Sequence, residues 1–305
     1  MDKVVEVTED EFYESLWYRS SMIFTKDERR ALKEATIGVI GVGGTGGIAS
    51  EQLVRSGVGA IRLVDPDIFE LTNMNRQQFC TVSTLGMKKV EAGMERLLDI
   101  NPFLEVEIFP EGINKENARE IIEGLDVIID ASDNKSAHYP LHRVAKELKV
   151  PVISREHRVP EFTFGAKANL WDYRVDGIST REEDENSKTA NMALEDISED
   201  DFREKDRLVH QEFNRVYRDI FNSKYAKKLL LSENEPPEGF FESYAESKRN
   251  LVQGTNWGPT VSITGSFFAT IAINIIIGSK DIYLGPISIK ADAKIPDVIE
   301  QREIK

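Results

Sequence analysis

The segment Gly41-Val42-Gly43-Gly44-Thr45-Gly46-Gly47 directly follows the apolar run TIGVI (36–40) and opens a helical pattern. Glycines at such a turn let the backbone bend tightly and approach a phosphate, while the start of the helix supplies free N–H groups and partial positive charge. The turn is expected to hold an anion, with Gly41, Gly43, Gly44 and Gly46 beneath it. Asp65 ends the next apolar run about 24 residues after Gly41, where a carboxylate accepts hydrogen bonds from ribose hydroxyls. Arg76 and Lys89 come next, two cations suited to the same phosphates. Hydride transfer has no use for such a pair. Nucleotidyl transfer does, because charge builds on the α-phosphate and on the departing pyrophosphate. Asp130-Ala131-Ser132-Asp133-Asn134 closes a fourth apolar run, and its acids suit Mg²⁺, which takes carboxylate and phosphate oxygens. Against this stands a plainer account: a glycine turn needed for helix packing, Arg76 and Lys89 as surface charges, and Asp130 as a helix cap.

These residues need a scaffold, and the sequence supplies alternating elements. Strand-like runs at 36–40, 60–64, 106–109, 126–130 and 151–154 alternate with helical patterns from Gly44 to about Ser56, from Gly86 to Asp99, near 114–123 and near 136–148. Strands alternating with helices imply βαβ units, hence a doubly wound, Rossmann-like, mostly parallel α/β sheet. FTFGAKANLWDY (162–173) and SIKADAK (288–294) alternate in polarity and read as antiparallel strands continuing that sheet. Between them, residues 181–206 hold eleven acids against four bases, a solvated segment, followed by a helical pattern at 206–231 and a Pro-Pro-Glu-Gly break. The expected division is an N-terminal helical arm (1–30), a nucleotide-binding core (31–173), an acidic helical insertion (174–250) and a C-terminal core helix and strand (251–305).

Composition narrows the function classes. The net charge of −14 repels polyphosphate backbones and argues against a nucleic-acid partner. A single cysteine, Cys80, builds neither an intramolecular disulfide nor a cysteine zinc site, which favours a reducing, cytoplasmic setting. The acidic N-terminus lacks the basic head and apolar stretch of a secretory signal. PTVSITGSFFATIAINIIIG (259–278) is about as long as a membrane span, but Ser262, Thr264, Ser266 and Asn274 interrupt it, so a buried core or subunit-interface helix is expected.

GVGGTGG, SGVGAIRLVDPD, TNMNRQ, GMKKVE, INP (100–102) and DVIIDASDN, in that order over residues 17–160, resemble the ThiF/MoeB/HesA superfamily, whose larger members are the ubiquitin-activating enzymes. GPTVSITGSFFATIAIN resembles the last core helix of that family. The resemblance implies ATP- and Mg²⁺-dependent adenylation of a carboxylate, with the glycines and Arg76 and Lys89 on the phosphates and Asp65 on the ribose. It further implies that Asn73 and Gln77 contact the nucleotide, with Asp67, Asp130 and Asn134 in the same cofactor-binding set, and that Asp133 is the Mg²⁺-associated aspartate. Trp17-Tyr18-Arg19-Ser20-Ser21 is similar to a segment whose arginine reaches into a neighbouring subunit's ATP site, so Arg19 joins the catalytic set and a homodimer is implied.

The sequence departs from many relatives in lacking two CxxC pairs for zinc and a crossover cysteine. Cys80 reads as a buried core thiol and no zinc is expected. His138 and His142 stand four apart on a helix, a spacing that can bind zinc, but no third ligand is near in sequence and a solvated helix face is expected. Arg155 and Arg158, at the carboxyl end of the fifth strand, could clamp a second anionic group of the substrate or pair with the acids of 181–206. The substrate carboxylate is then the C-terminus of a ubiquitin-like carrier or peptide, or a small acid. Alternatives are a dehydratase acting on a carboxylate-bearing modified nucleoside of tRNA, which shares the TNxNRQ string, a non-catalytic nucleotide-binding protein, and an NAD-dependent oxidoreductase.

Overall fold

The computed structural model describes residues 7–154, 165–174, 258–279, 287–292 and 299–303. The chain divides into two units, one of Met1–Glu156, Thr163–Glu195 and Trp257–Lys305 and the other of His157–Phe162 and Asp196–Asn256; all described residues belong to the first. Arg155, Arg158 and the acidic segment with its following helical pattern lie outside the described residues.

Thr8 and Thr25 each open a helix through a capping box with the glutamate three residues on, giving α1 (Glu9–Trp17) and α2 (Lys26–Glu34). Five strands follow with their helices: β1 (Thr36–Ile40), α3 (Gly44–Arg55), β2 (Ala60–Val64), α4 (Lys89–Ile100), β3 (Glu105–Phe109), α5 (Ala118–Ile122), β4 (Val127–Asp130), α6 (Lys135–Leu148) and β5 (Val152–Ser154). Then come β6 (Gly165–Trp171), α7 (Gly258–Ile276), β7 (Ile287–Asp292) and β8 (Ile299–Glu303). The sheet order is β3-β2-β1-β4-β5-β6-β7-β8; the first five strands are parallel and the last three antiparallel.

The central strands are near-continuous β-branched runs because both faces of the sheet are covered. Val39, Leu53, Leu63, Val90, Leu97, Phe268 and Ile271 form one core, and Ile40, Val64, Ile121, Ile128, Leu141 and Trp171 form the other. Burying a side chain such as Phe268 contributes roughly 1.5–3 kcal/mol. α7 is a core helix packed on α3: a Cβ at Gly265 would lie 2.7 Å from the Thr45 carbonyl oxygen, so glycine there permits the close crossing. No described helix is long and apolar enough to cross a membrane.

The helix expected from Gly86 begins at Lys89. Gly86 sits in the left-handed region (φ 83°), and Lys88 is held extended by an antiparallel bridge to Ile68. The helix near 114–123 shrinks to Ala118–Ile122, because the Asn114 side chain accepts from the Glu116 and Asn117 amides and competes with the first helical turn. The sequence reading missed β8, whose residues IEQRE are polar; its described pairing is with β7 alone.

Candidate active site

Register lines up the carboxyl ends of the parallel strands. Phe109, Val64, Ile40, Asp130 and Ser154 pair in sequence across the sheet. β1 is where the order reverses, since the chain winds to β2 and β3 on one side and to β4 and β5 on the other. A doubly wound sheet binds ligands in the crevice beyond such a switch point. Gly41 starts the turn there with φ 92°, and a Cβ on it would lie 2.8 Å from Ala131 and Ser132 backbone atoms. Only glycine lets β1 and β4 exit side by side.

Asp65 ties this turn to the next. Its Oδ2 accepts the Val42 N–H at 2.7 Å and its Oδ1 the Asp67 N–H at 2.9 Å, while Lys89 Nζ stands 4.0 Å from Oδ1 and 2.8 Å from Asp67 Oδ2. Asp65 and Lys89 are both buried. Burial holds the Asp65 carboxyl above its ordinary 3.8, against the opposing pull of Lys89 and the two amides. The native state therefore keeps this proton more tightly than the unfolded chain. Its stability contribution is complete below the unfolded pKa and is lost as pH rises through the native one. Asp65→Asn, which does not ionise, should gain on the wild type as pH rises from about 4 to about 7. Melting temperatures of the two proteins across that range check this, and a difference that stays flat or moves the other way overturns it.

The segment after β2 folds back over the glycine turn. A Cβ at Gly44 would meet the Arg76 carbonyl oxygen at 3.2 Å and Val261 Cγ1 of α7 at 2.5 Å, and one at Gly43 would lie 3.6 Å from Gln77 Nε2. Arg76 Nη1 donates to the Thr72 carbonyl (2.9 Å) and to Asn75 Oδ1 (2.8 Å), which holds the guanidinium on its own loop. Asn73 is buried and its Oδ1 accepts the Glu70 N–H at 3.1 Å, so it shapes the loop. Gln77 is buried as well, and its Oε1 has no hydrogen-bond partner. The structure thus gathers Gly41, Gly43, Gly44, Gly46, Asp65, Asp67, Arg76, Gln77 and Lys89 around one helix N-terminus. Asp133 and Asn134 are exposed just beyond β4, with the Asn134 N–H donating to Ser132 Oγ at 3.0 Å. Arg19 is exposed on the turn Tyr18–Ser20, its guanidinium 5.9 Å from the Tyr18 ring, and takes no part in the bonds that join the cluster. Val261 on α7 walls the turn and Gly258 lies against the Asn75 carbonyl of the loop above it; sequence reasoning placed α7 in the core but had no signal that it reaches the site.

Two sequence expectations change. The face of α6 carrying His138 and His142 is buried, because Trp171 and Tyr173 cover it: the His142 ring meets Trp171 edge-on at 5.0 Å, and His142 Nδ1 lies 2.7 Å from Tyr173 Oη. Asp130, read with the nucleotide set, is buried at 1% exposure, and its Oδ2 lies 2.6 Å from His138 Nδ1. It faces α6, with these two histidines beside it.

Cys80 is buried, with Sγ 3.5 Å from the Glu70 carbonyl oxygen, and burial raises its pKa, so little thiolate is present at neutral pH. Alkylation of the native protein by iodoacetamide should be slower than that of the unfolded chain by at least about tenfold. Equal rates would place the thiol in reach of substrate.

The ThiF family matches residues 18–301, nearly the whole chain. The chain belongs to the ThiF family. Among its relatives, the tRNA threonylcarbamoyladenosine dehydratase of Bacillus subtilis (strain 168) is 41% identical over 139 residues, 45% of this chain and 54% of that protein. The molybdopterin-synthase adenylyltransferase of Haemophilus influenzae is 33% identical over 159 residues, 50% of this chain and 65% of that protein. The chain therefore covers less than two thirds of either relative. The E. coli tRNA N6-threonylcarbamoyladenosine dehydratase TcdA, solved in complex with ATP, shares the ThiF-family fold with a TM-score of 0.59 at 18% identity, over 89% of this chain and 98% of that one.

Proposed function

We propose that this ThiF-family chain binds ATP and adenylates a substrate carboxylate, releasing pyrophosphate. One observation carries the reading: Arg76, Gln77 and Lys89 converge with Asp65 on a glycine turn at a helix N-terminus, where a side chain at Gly43 would project toward Gln77 and one at Gly44 would collide with Val261. The cradle and the partnerless Gln77 Oε1 fit a nucleotide, and the ATP complex of TcdA supports that choice. A carboxylate is ionised at pH 7, so no general base is required. Its oxygen attacks the α-phosphorus, an acyl–phosphate bond forms, and the bond to the bridging oxygen breaks with the electron pair leaving on pyrophosphate. Arg76 and Lys89 neutralise the charge that builds, and the glycine turn's N–H groups orient it. Asp65 keeps lone pairs for a ribose hydroxyl beyond the two amides it already accepts.

Mg²⁺ would lower the charge on the phosphate oxygens. Asp133, an exposed carboxylate beyond β4, fits a hard cation; Asp130, buried against His138, does not. Arg19 is proposed to act across a homodimer, and Arg155 and Arg158 to hold a second anionic group of the substrate. The substrate itself is proposed as the C-terminus of a ubiquitin-like carrier or peptide, or a small acid, met in the cytoplasm.

A second reading has an observation in its favour. The Bacillus subtilis relative is a tRNA threonylcarbamoyladenosine dehydratase. The net charge of −14 weighs against a tRNA partner.

The test is ATP–pyrophosphate exchange with carrier C-termini, acidic peptides, small polyacids and threonylcarbamoyladenosine-bearing tRNA, together with mass spectrometry of nucleotide retained through purification. Exchange that depends on a carboxylate supports the first reading; activity with tRNA alone selects the second. Retained NAD and no exchange overturns both. Asp133→Ala should lower exchange by on the order of 10²-fold, as for loss of an electrostatic transition-state contact, and full activity in that variant removes Asp133 from the metal site.

A further inference from the structure

Asp130, His138 and His142 are all buried, and one carboxylate oxygen of Asp130 faces both imidazoles. We infer that Asp130, His138 and His142 form a divalent metal site, with Zn²⁺ as the ion. His138 and His142, four residues apart on α6, project from one helix face, and Asp130 comes from the end of β4. Asp130 Oδ2 lies 2.6 Å from His138 Nδ1 and 3.9 Å from His142 Nε2, and one ligand atom from each residue lies within 4.8 Å of the other two. In a tetrahedral zinc site with bonds of about 2.0–2.1 Å, neighbouring ligand atoms stand about 3.3 Å apart. These two spacings bracket that value, and each needs a shift of about 0.6–0.7 Å to reach it. Two histidines and a carboxylate are an N/O donor set that zinc accepts.

The surroundings already orient the ligands. His142 Nδ1 is engaged by Tyr173 Oη at 2.7 Å, which leaves the opposite ring nitrogen directed at Asp130, the outer-sphere arrangement typical of metal-bound histidine. Asp130 Oδ1 accepts the Ser132 N–H at 3.3 Å. Ser154, in register with Asp130 on β5, is fully buried, and its Oγ has no hydrogen-bond partner. Val152 packs in the same core as Leu141 of α6, so Ser154, two residues on, projects from the same sheet face. A partnerless buried hydroxyl is costly, and here it stands ready for a water filling the fourth metal position. The site is independent of the proposed adenylation. It would brace α6 against β4, and with them the connecting segment 131–134 that carries Asp133.

The experiment uses untagged full-length protein. As purified, it should contain about one zinc per chain by elemental analysis. After chelator treatment it should take up Zn²⁺ in competition with a fluorescent indicator and show a raised melting temperature. His142→Ala and Asp130→Asn should lose that uptake. Should those variants fail to fold, Tyr173→Phe keeps all three ligands and removes only the outer hydrogen bond, and should weaken Zn²⁺ binding about 10- to 100-fold. Co²⁺ in place of zinc should give the visible absorption of a four-coordinate site. The inference is overturned if stripped protein takes up no Zn²⁺ at micromolar free concentration, or if uptake is unchanged in both His142→Ala and Tyr173→Phe.

Discussion

Lys89→Met is expected to lower carboxylate-dependent pyrophosphate exchange by about 10²- to 10³-fold and to destabilise the fold as well. The ammonium group is buried, 2.8 Å from Asp67 and 4.0 Å from Asp65. Removing it takes away the cation proposed to meet the phosphates and also leaves the buried Asp65 carboxylate without its one cationic neighbour among the described ion pairs. Arg76→Ala supplies the contrast. The described hydrogen bonds of its guanidinium are to Thr72 and Asn75 of its own loop, so the variant should lose a comparable part of the exchange while melting within a few degrees of wild type. Exchange rates and melting curves measured side by side decide the matter. If Lys89→Met keeps full exchange while losing stability, Lys89 is a structural ion-pair partner and the phosphate site lies elsewhere.

The second large effect is on folding. A Cβ at Gly46 would lie 1.8 Å from the Gly41 carbonyl oxygen and 3.1 Å from Val39 Cγ1, with backbone on the near side and core on the far side. Neither neighbour can yield, so Gly46→Ala should cost at least about 3 kcal/mol, the upper range for overpacking, and in a marginal background prevent folding. Gly43→Ala meets only ordinary contacts, the nearest being Gln77 Nε2 at 3.6 Å. It should fold normally and bind ATP more weakly, because its methyl group occupies the cradle. Denaturant titration of the two variants with ATP binding by calorimetry checks both halves; equal stability of Gly46→Ala and wild type would mean that the turn relaxes away from this geometry.

The glycine turn, Asp65, Arg76 and Lys89 were legible in the residues, because each sits at a strand end or in a loop whose place follows from local pattern, whereas Gln77 came only from the family resemblance. An apolar run of about five residues, a glycine turn and a helical pattern specify a βα unit almost without reference to the rest of the chain. The antiparallel strands at 165–171 and 287–292 were legible for the same reason, their alternation. Helix starts were less so. Lys89 as first helical residue depends on the bridge between Ile68 and Lys88, twenty residues apart in sequence.

The partners of Asp130 were not legible at all. Sequence spacing shows that His138 and His142 share a face, but whether that face meets water depends on what packs against it, and here Trp171 at the end of β6 and Tyr173 just after it arrive from some thirty residues later. The same holds for Val261, which reaches the glycine turn only because α7 crosses α3 at Gly265. The doubly wound order of elements and the glycine turn at the start of α3 could be read from residue order alone, since they rest on periodicity and turn chemistry within a few residues. Which way Asp130 faces, that two histidines are buried beside it and what walls the glycine turn came from the folded chain, because burial is a property of the contacts between distant segments and leaves no periodic trace in either one alone.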